Sequence, residues 1–156
     1  MLLPEDKLQL LGIILPQVSK PIAAYVPYKI AGNLLFLSGI LPVKEGILMA
    51  RGKVNREVTI EEGYTCAKQV ALNAIAIMKE ALGSLNNVEQ IIKVTGYVAS
   101  SDNFNEQSKV INGCSDLLIE IFDDKGKHAR TAVGVKELPM NAPVEIDFIV
   151  ETVNSR

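Results

Sequence analysis

Apolar side chains recur at steps of three and four between residues 60 and 82: Cys66/Ala67, Val70/Ala71, Ala74/Ile75, Met78 and Ala81/Leu82. This stripe predicts an amphipathic helix of about six turns. Thr59, with Glu62 three residues on, makes a capping-box pattern at its start, and Gly83 stops it. A second stripe, Val110, Ile111, Cys114, Leu117, Leu118, Ile121 and Phe122, predicts another long helix, with Asp102 as its cap. A short helix is expected over residues 4 to 15, where Pro4 suits the first turn, Glu5 and Asp6 favour its positive end, and Leu8, Leu11 and Leu15 repeat at helical spacing. That helix reads as an N-terminal appendage covering residues 1 to 18.

The remaining apolar runs follow strand patterns. Pro16, Pro21 and Pro27 force extended chain. Leu34 to Leu37, bounded by Asn33 and Gly39, suits a buried strand, and residues 46 to 54, 90 to 99, 129 to 136 and 143 to 153 predict further strands. In the last of these, Val144, Ile146, Phe148 and Val150 alternate with Glu145, Asp147, Ile149 and Glu151, giving one apolar and one largely acidic face. The order β-β-β-α-β-α-β-β implies an α+β fold, one mixed sheet with both long helices packed on one face. Two helices cover only one side of such a sheet, and residues 34 to 37 are apolar at successive positions. The uncovered side therefore predicts oligomerisation, without fixing the number of subunits.

Composition narrows the function. A chain of 156 residues with 48% apolar and 22% charged positions predicts one globular domain, 1 to 156. The formal net charge of −2, the lack of a basic run and only eight aromatic residues disfavour a nucleic-acid surface. No stretch reaches the roughly 20 apolar residues of a membrane span, so no membrane partner is expected. Met1 to Pro4 carry no basic region and precede acidic Glu5 and Asp6, unlike a secretory signal. A cytoplasmic protein is expected, with Cys66 and Cys114 reduced and buried on helical stripes. His128, the lone histidine, has no partners at metal-ligand spacing, and no metal is expected.

No phosphate loop, Ser-His-Asp set or Cys/His cluster is present. Arg130 is the informative residue: it opens a strand of small apolar side chains, where its guanidinium would be costly to bury unless an anion met it. Its planar fork matches a carboxylate through two parallel hydrogen bonds. An exposed strand-end arginine is the plain alternative. In extended chain His128 would project on the same side as Arg130, about 6 to 7 Å away. It could serve the same cleft, or be a turn histidine bonded to backbone.

Arg130-Thr131-Ala132-Val133, then Leu138-Pro139, then Val144-Glu145-Ile146-Asp147 resembles the C-terminal signature of the Rid (YjgF, endoribonuclease L-PSP) superfamily, with Arg130 and Glu145 fifteen positions apart as in the family. Upstream, Pro21-Ile22-Ala23-Ala24-Tyr25 and the stretch from Asn33 through Ser38-Gly39 to Pro42 resemble two further family segments. The resemblance spans roughly residues 20 to 153. It implies a chorismate-mutase-like homotrimer with clefts between subunits, and a cofactor-independent hydrolysis of 2-imino or 2-enamino acids to 2-oxo acids and ammonia.

Carried over by position, Arg130 anchors the substrate carboxylate and Glu145 orients and activates water. Tyr25 lines the cleft from a neighbouring subunit, Ser38 and Gly39 form its floor, and Asn112 matches an asparagine of the second long helix. Ile40 stands where the family usually has glutamine, Ala132 where it often has cysteine, and His128 with the 123 to 127 turn replaces a Pro-Ala pair. These departures mark a divergent branch. The expected ligand is a small carboxylate-bearing molecule. A non-catalytic carboxylate-binding or regulatory trimer is the alternative to a deaminase; a ribonuclease or translation inhibitor fits the acidic composition less well.

Overall fold

The computed structural model describes residues 1–20 and 23–153. The extended chain expected at Pro21 lies outside the described residues. Helix α1 (Pro4–Leu10) is followed by strands β1 (Tyr28–Ala31), β2 (Leu34–Ile40), β3 (Val43–Lys44) and β4 (Ile47–Leu48). Then come α2 (Ile60–Leu82), β5 (Val88–Ala99), α3 (Gln107–Phe122), β6 (Ala129–Val135) and β7 (Val144–Thr152). Five strands form one sheet in the order β1-β2-β7-β5-β6, and β3 pairs with β4 in a separate hairpin. All neighbours in the large sheet are antiparallel except β5 and β6, which are parallel. Parallel neighbours need a crossover, and α3 supplies it.

Helices α2 and α3 cover one face of this sheet. Their buried stripes meet Leu35 and Leu37 of β2, Val94 and Val98 of β5, and Ile146, Phe148 and Val150 of β7 in one core. Local chemistry sets the bounds of α2. The Thr59 hydroxyl accepts from the Glu62 N–H, the Glu62 carboxylate accepts from the Thr59 N–H, and left-handed Gly83 ends the helix.

The two long helices approach closely at Gly113, where a β-carbon would overlap the main-chain carbonyl of Tyr64. Backbone cannot move aside as a side-chain tip can. Gly113→Ala is therefore expected to destabilise the fold by about 1 to 3 kcal/mol, the usual cost of overpacking, read as a lowered midpoint in chemical denaturation.

Three local expectations need correction. The first helix ends at Leu10, not residue 15, because left-handed Gly12 lets the Ile13 N–H turn back to the Leu8 carbonyl. It is also tied down, with the Glu5 carboxylate accepting from the Leu85 N–H at 3.1 Å and Lys7 paired with Asp123. No strand spans 46 to 54; positive φ at Glu45, Gly46, Gly52 and Asn55 breaks the extended run, leaving the short β3–β4 hairpin and isolated bridges at Val54. Asp102 does not cap α3. The chain turns through left-handed Asn103, and α3 starts at Gln107, whose side chain donates to the Phe104 carbonyl and the Ser100 hydroxyl.

Among the described residues, no helix covers the other sheet face. It carries Phe36 and Ser38 of β2, Glu145, Asp147, Ile149 and Glu151 of β7, Tyr97 of β5, and Val133 of β6, with Phe36 39% and Val133 40% exposed. Among the described residues, no helix is long and apolar enough to cross a membrane.

Candidate functional site

Arg130 lies one residue into β6, opposite Val94 in the parallel register. Its half-buried guanidinium reaches α3, where Nη1 donates to Asn112 Oδ1 at 2.8 Å and to Ser115 Oγ at 3.1 Å, and Nη2 donates weakly to the Ser108 carbonyl at 3.5 Å. Asn112 and Ser115 stand three residues apart, on one side of the helix. Among the described residues Nε–H has no acceptor, and Nη2 makes only the long bond to the Ser108 carbonyl. Those two donors are parallel, the arrangement that takes a carboxylate in two hydrogen bonds.

His128 stands just before β6 and is half-buried. Its Nδ1 lies 2.6 Å from the Gly126 carbonyl and its Nε2 2.9 Å from Ser115 Oγ. Burial foremost, and also the nearby Arg130 charge, hold its pKa below the usual histidine range, while the Gly126 carbonyl acts in the opposite direction. Of the two readings open to this residue, the backbone bond is present, and Ser115 connects the imidazole to Arg130.

Glu145 is not beside Arg130 in the same chain. It pairs with Tyr97 of β5, whereas Arg130 pairs with Val94. These β5 positions are three apart with no register shift between them, so their side chains leave opposite faces of the sheet. Arg130 is on the helix face and Glu145 on the uncovered face. There the half-buried Glu145 has Asp147 for a neighbour two residues on, and Tyr97 donates to Asp147 Oδ2 at 3.2 Å. Burial, then the Asp147 charge, push the Glu145 carboxyl above the ordinary carboxylate range.

Gly39 is the floor beneath that carboxylate, since a β-carbon there would collide with Glu145 Oε1. The obstacle is the far end of a flexible side chain. Gly39→Ala is therefore expected to leave stability almost unchanged, within about 0.5 kcal/mol, while displacing the Glu145 carboxylate. Unaltered thermal unfolding together with a changed Glu145 titration by NMR checks this. Ser38 has a different job: its N–H donates to the Pro27 carbonyl and its hydroxyl to the Val26 carbonyl at 2.6 Å, tying the segment that carries exposed Tyr25 to β2.

Tyr25, Ser38 and Gly39 line a cavity of about 920 Å³, walled also by Pro16, Lys20 and Asn73. Arg130, Asn112, His128 and Glu145 do not line it. The expected site residues thus fall into two groups, Arg130 with Asn112 and His128 on the helix side, and Glu145 over Gly39, with Ser38 and Tyr25 lining the adjoining cavity that Asn73 and Ile77 of α2 also wall. Ile40, replacing the family glutamine, follows an irregularity in the β2–β7 register and packs partly against the core.

Sequence reasoning missed Ser115, Tyr97 and Asp147. Ser115 had a usable signal, its position one helical turn beyond Asn112. Cys66 and Cys114 are buried, and burial pushes the Cys66 thiol up to about 11 and the Cys114 thiol well above the ordinary range. Among the described residues no three His, Cys, Asp or Glu side chains cluster as a metal ion would need.

A half-covered mixed sheet with an α3 crossover and a strand arginine held by helix polar groups defines an α+β protein. The family model described as "YjgF/chorismate mutase-like, putative endoribonuclease" matches residues 5–151, and the chain belongs to this Rid/YjgF family. It is 42% identical to protein TCP17 of Trypanosoma cruzi over 148 residues, covering 94% of this chain and 92% of that one. The crystal structure of Atu1372 from Agrobacterium tumefaciens, of unknown function, superposes with a TM-score of 0.90 at 44% identity, covering 96% of this chain and 92% of that one. The 2-iminobutanoate/2-iminopropanoate deaminase of Dermatophagoides farinae is 31% identical over 136 residues, 86% of this chain and 91% of its own.

Proposed function

We propose that this chain is a cytoplasmic, cofactor-independent imine deaminase that works as a homotrimer with C3 symmetry. The observation that carries this reading is the placement of Arg130 and Glu145 on opposite faces of one sheet. One ligand can meet both groups only if a neighbouring subunit supplies one of them. The uncovered face, with Phe36 and Val133 exposed and Glu145 half-buried, is the surface such a neighbour would cover. The similarity to a named iminobutanoate deaminase supports the substrate class.

In this mechanism the open edge of Arg130 binds the carboxylate of a 2-imino acid, and Glu145 of an adjacent subunit accepts a proton from water. The water oxygen attacks the electrophilic C=N carbon, forming a carbinolamine. The nitrogen then takes the proton held by Glu145, the C–N bond breaks to release ammonia, and the hydroxyl gives its proton back to Glu145, leaving the 2-oxo acid. Anchoring and water orientation suffice for such a carbon.

Ammonia release from freshly generated 2-aminoacrylate, with and without the protein, tests the activity, and sedimentation in dilute buffer tests the assembly. A stable folded monomer would end the shared-site reading. Binding of 2-oxo acids without accelerated ammonia release would identify a carboxylate-binding or regulatory trimer instead.

A further inference from the structure

A hydrogen-bonded chain runs behind Arg130, from the Gly126 carbonyl through His128 and Ser115 to Nη1. We propose that Ser115 and His128 are positioning residues for the carboxylate site, fixing one edge of the Arg130 guanidinium so that its other edge faces ligand. This rests on the reading of Arg130 as a carboxylate anchor, and assigns work to two side chains that touch no substrate.

The direction of each bond follows from its ends. A carbonyl only accepts, so His128 Nδ1 carries a hydrogen toward Gly126, and in the neutral ring Nε2 is left as an acceptor. Ser115 is buried, at 8% exposure, and its hydroxyl donates to Nε2, which turns its oxygen lone pairs toward Arg130. Ser115 Oγ and Asn112 Oδ1 then take the two Nη1 hydrogens. Rotation of the guanidinium would break both bonds and leave a buried hydroxyl oxygen without its donor.

The charged groups around this chain leave Arg130 as the one coupled to the imidazole. On α3, Asp116 accepts from the Tyr64 hydroxyl of α2; in the preceding turn Lys127 pairs with Asp124; on β5, Lys93 donates to Thr131 of β6. A carboxylate bound at Arg130 offsets the charge that opposes His128 protonation, so binding and protonation promote each other. Affinity for a carboxylate therefore rises as pH falls through the His128 titration. Once Nε2 is protonated it donates to Ser115, whose own hydrogen can turn to the carbonyl four residues back in α3, so the bond to Arg130 survives.

His128 is the only histidine in the chain, so its imidazole NMR signals need no assignment. Pyruvate is the probe, titrated calorimetrically and by NMR into the full-length parent and into the Ser115→Ala, Ser115→Thr and Arg130→Ala variants. Ser115→Ala is expected to weaken pyruvate binding about tenfold and Ser115→Thr to restore it, as loss and return of one hydrogen bond to a charged group imply. In the parent, saturating pyruvate should raise the His128 titration midpoint; in Ser115→Ala that response should shrink. Parent-like affinity and an undiminished response in folded Ser115→Ala, with binding still weakened in Arg130→Ala, would overturn the positioning role alone. If the parent did not bind pyruvate, or Arg130→Ala bound it equally well, the anchor reading and this proposal would fall together.

Discussion

Arg130→Ala is expected to weaken binding of pyruvate and 2-oxobutyrate by about 2 to 5 kcal/mol, the range for truncating one partner of a desolvated charge pair. Because the guanidinium is half-buried, the lower part of that range is the sharper expectation. An anchor holds substrate and transition state alike, so the loss should fall on KM and on the Kd of product, with less on kcat. Isothermal titration calorimetry decides it. Affinity equal to the parent's would remove Arg130 from the site altogether.

Glu145→Gln should separate binding from chemistry. The amide keeps the size and hydrogen-bonding shape of the carboxylate but cannot accept a proton from water. Ligand affinity should stay near the parent's, while turnover of a 2-imino acid should fall by roughly 10² to 10⁴-fold. The pH dependence gives a second readout. A base works only when deprotonated, and burial with the Asp147 charge raises the Glu145 pKa. Turnover in the parent should therefore be lost on acidification at a pH above the ordinary carboxylate range. An unchanged kcat in the Gln variant would exclude Glu145 as the base.

What could be read from the chain alone depended on how local its causes were. The start and end of α2 were legible because Thr59, Glu62 and Gly83 act within a single turn. The alternation in β7 likewise fixed which residues face the helices, and Val144, Ile146, Phe148 and Val150 are all buried. The segment 46 to 54 misled because its apolar residues suit a strand, while Glu45–Gly46 makes a local hairpin turn and the second left-handed turn, at Gly52, has distant supports. Gly52 donates to the Asn141 carbonyl and Arg51 to that of Met140, contacts invisible in the local pattern.

At the site, the pairing of Arg130 with Asn112 was accessible only through family resemblance, since it requires α3 to lie beside β6 in one register. Ser115 had only its place one turn beyond Asn112 as a local signal, and its role emerges once His128 and Arg130 are brought to either side. The separation of Arg130 from Glu145 depends on an odd offset along β5, a strand whose sequence contains neither residue.

That offset also has a genetic consequence. If each cleft takes its arginine from one copy and its glutamate from another, a subunit lacking Arg130 still brings a sound glutamate, and a subunit lacking Glu145 still brings a sound arginine. Two inactive alleles expressed together would then reconstitute some intact clefts in mixed assemblies. Either allele expressed beside the parent would spoil clefts in proportion to its share of the subunits, so a recessive lesion and a partly dominant one would differ only in dosage.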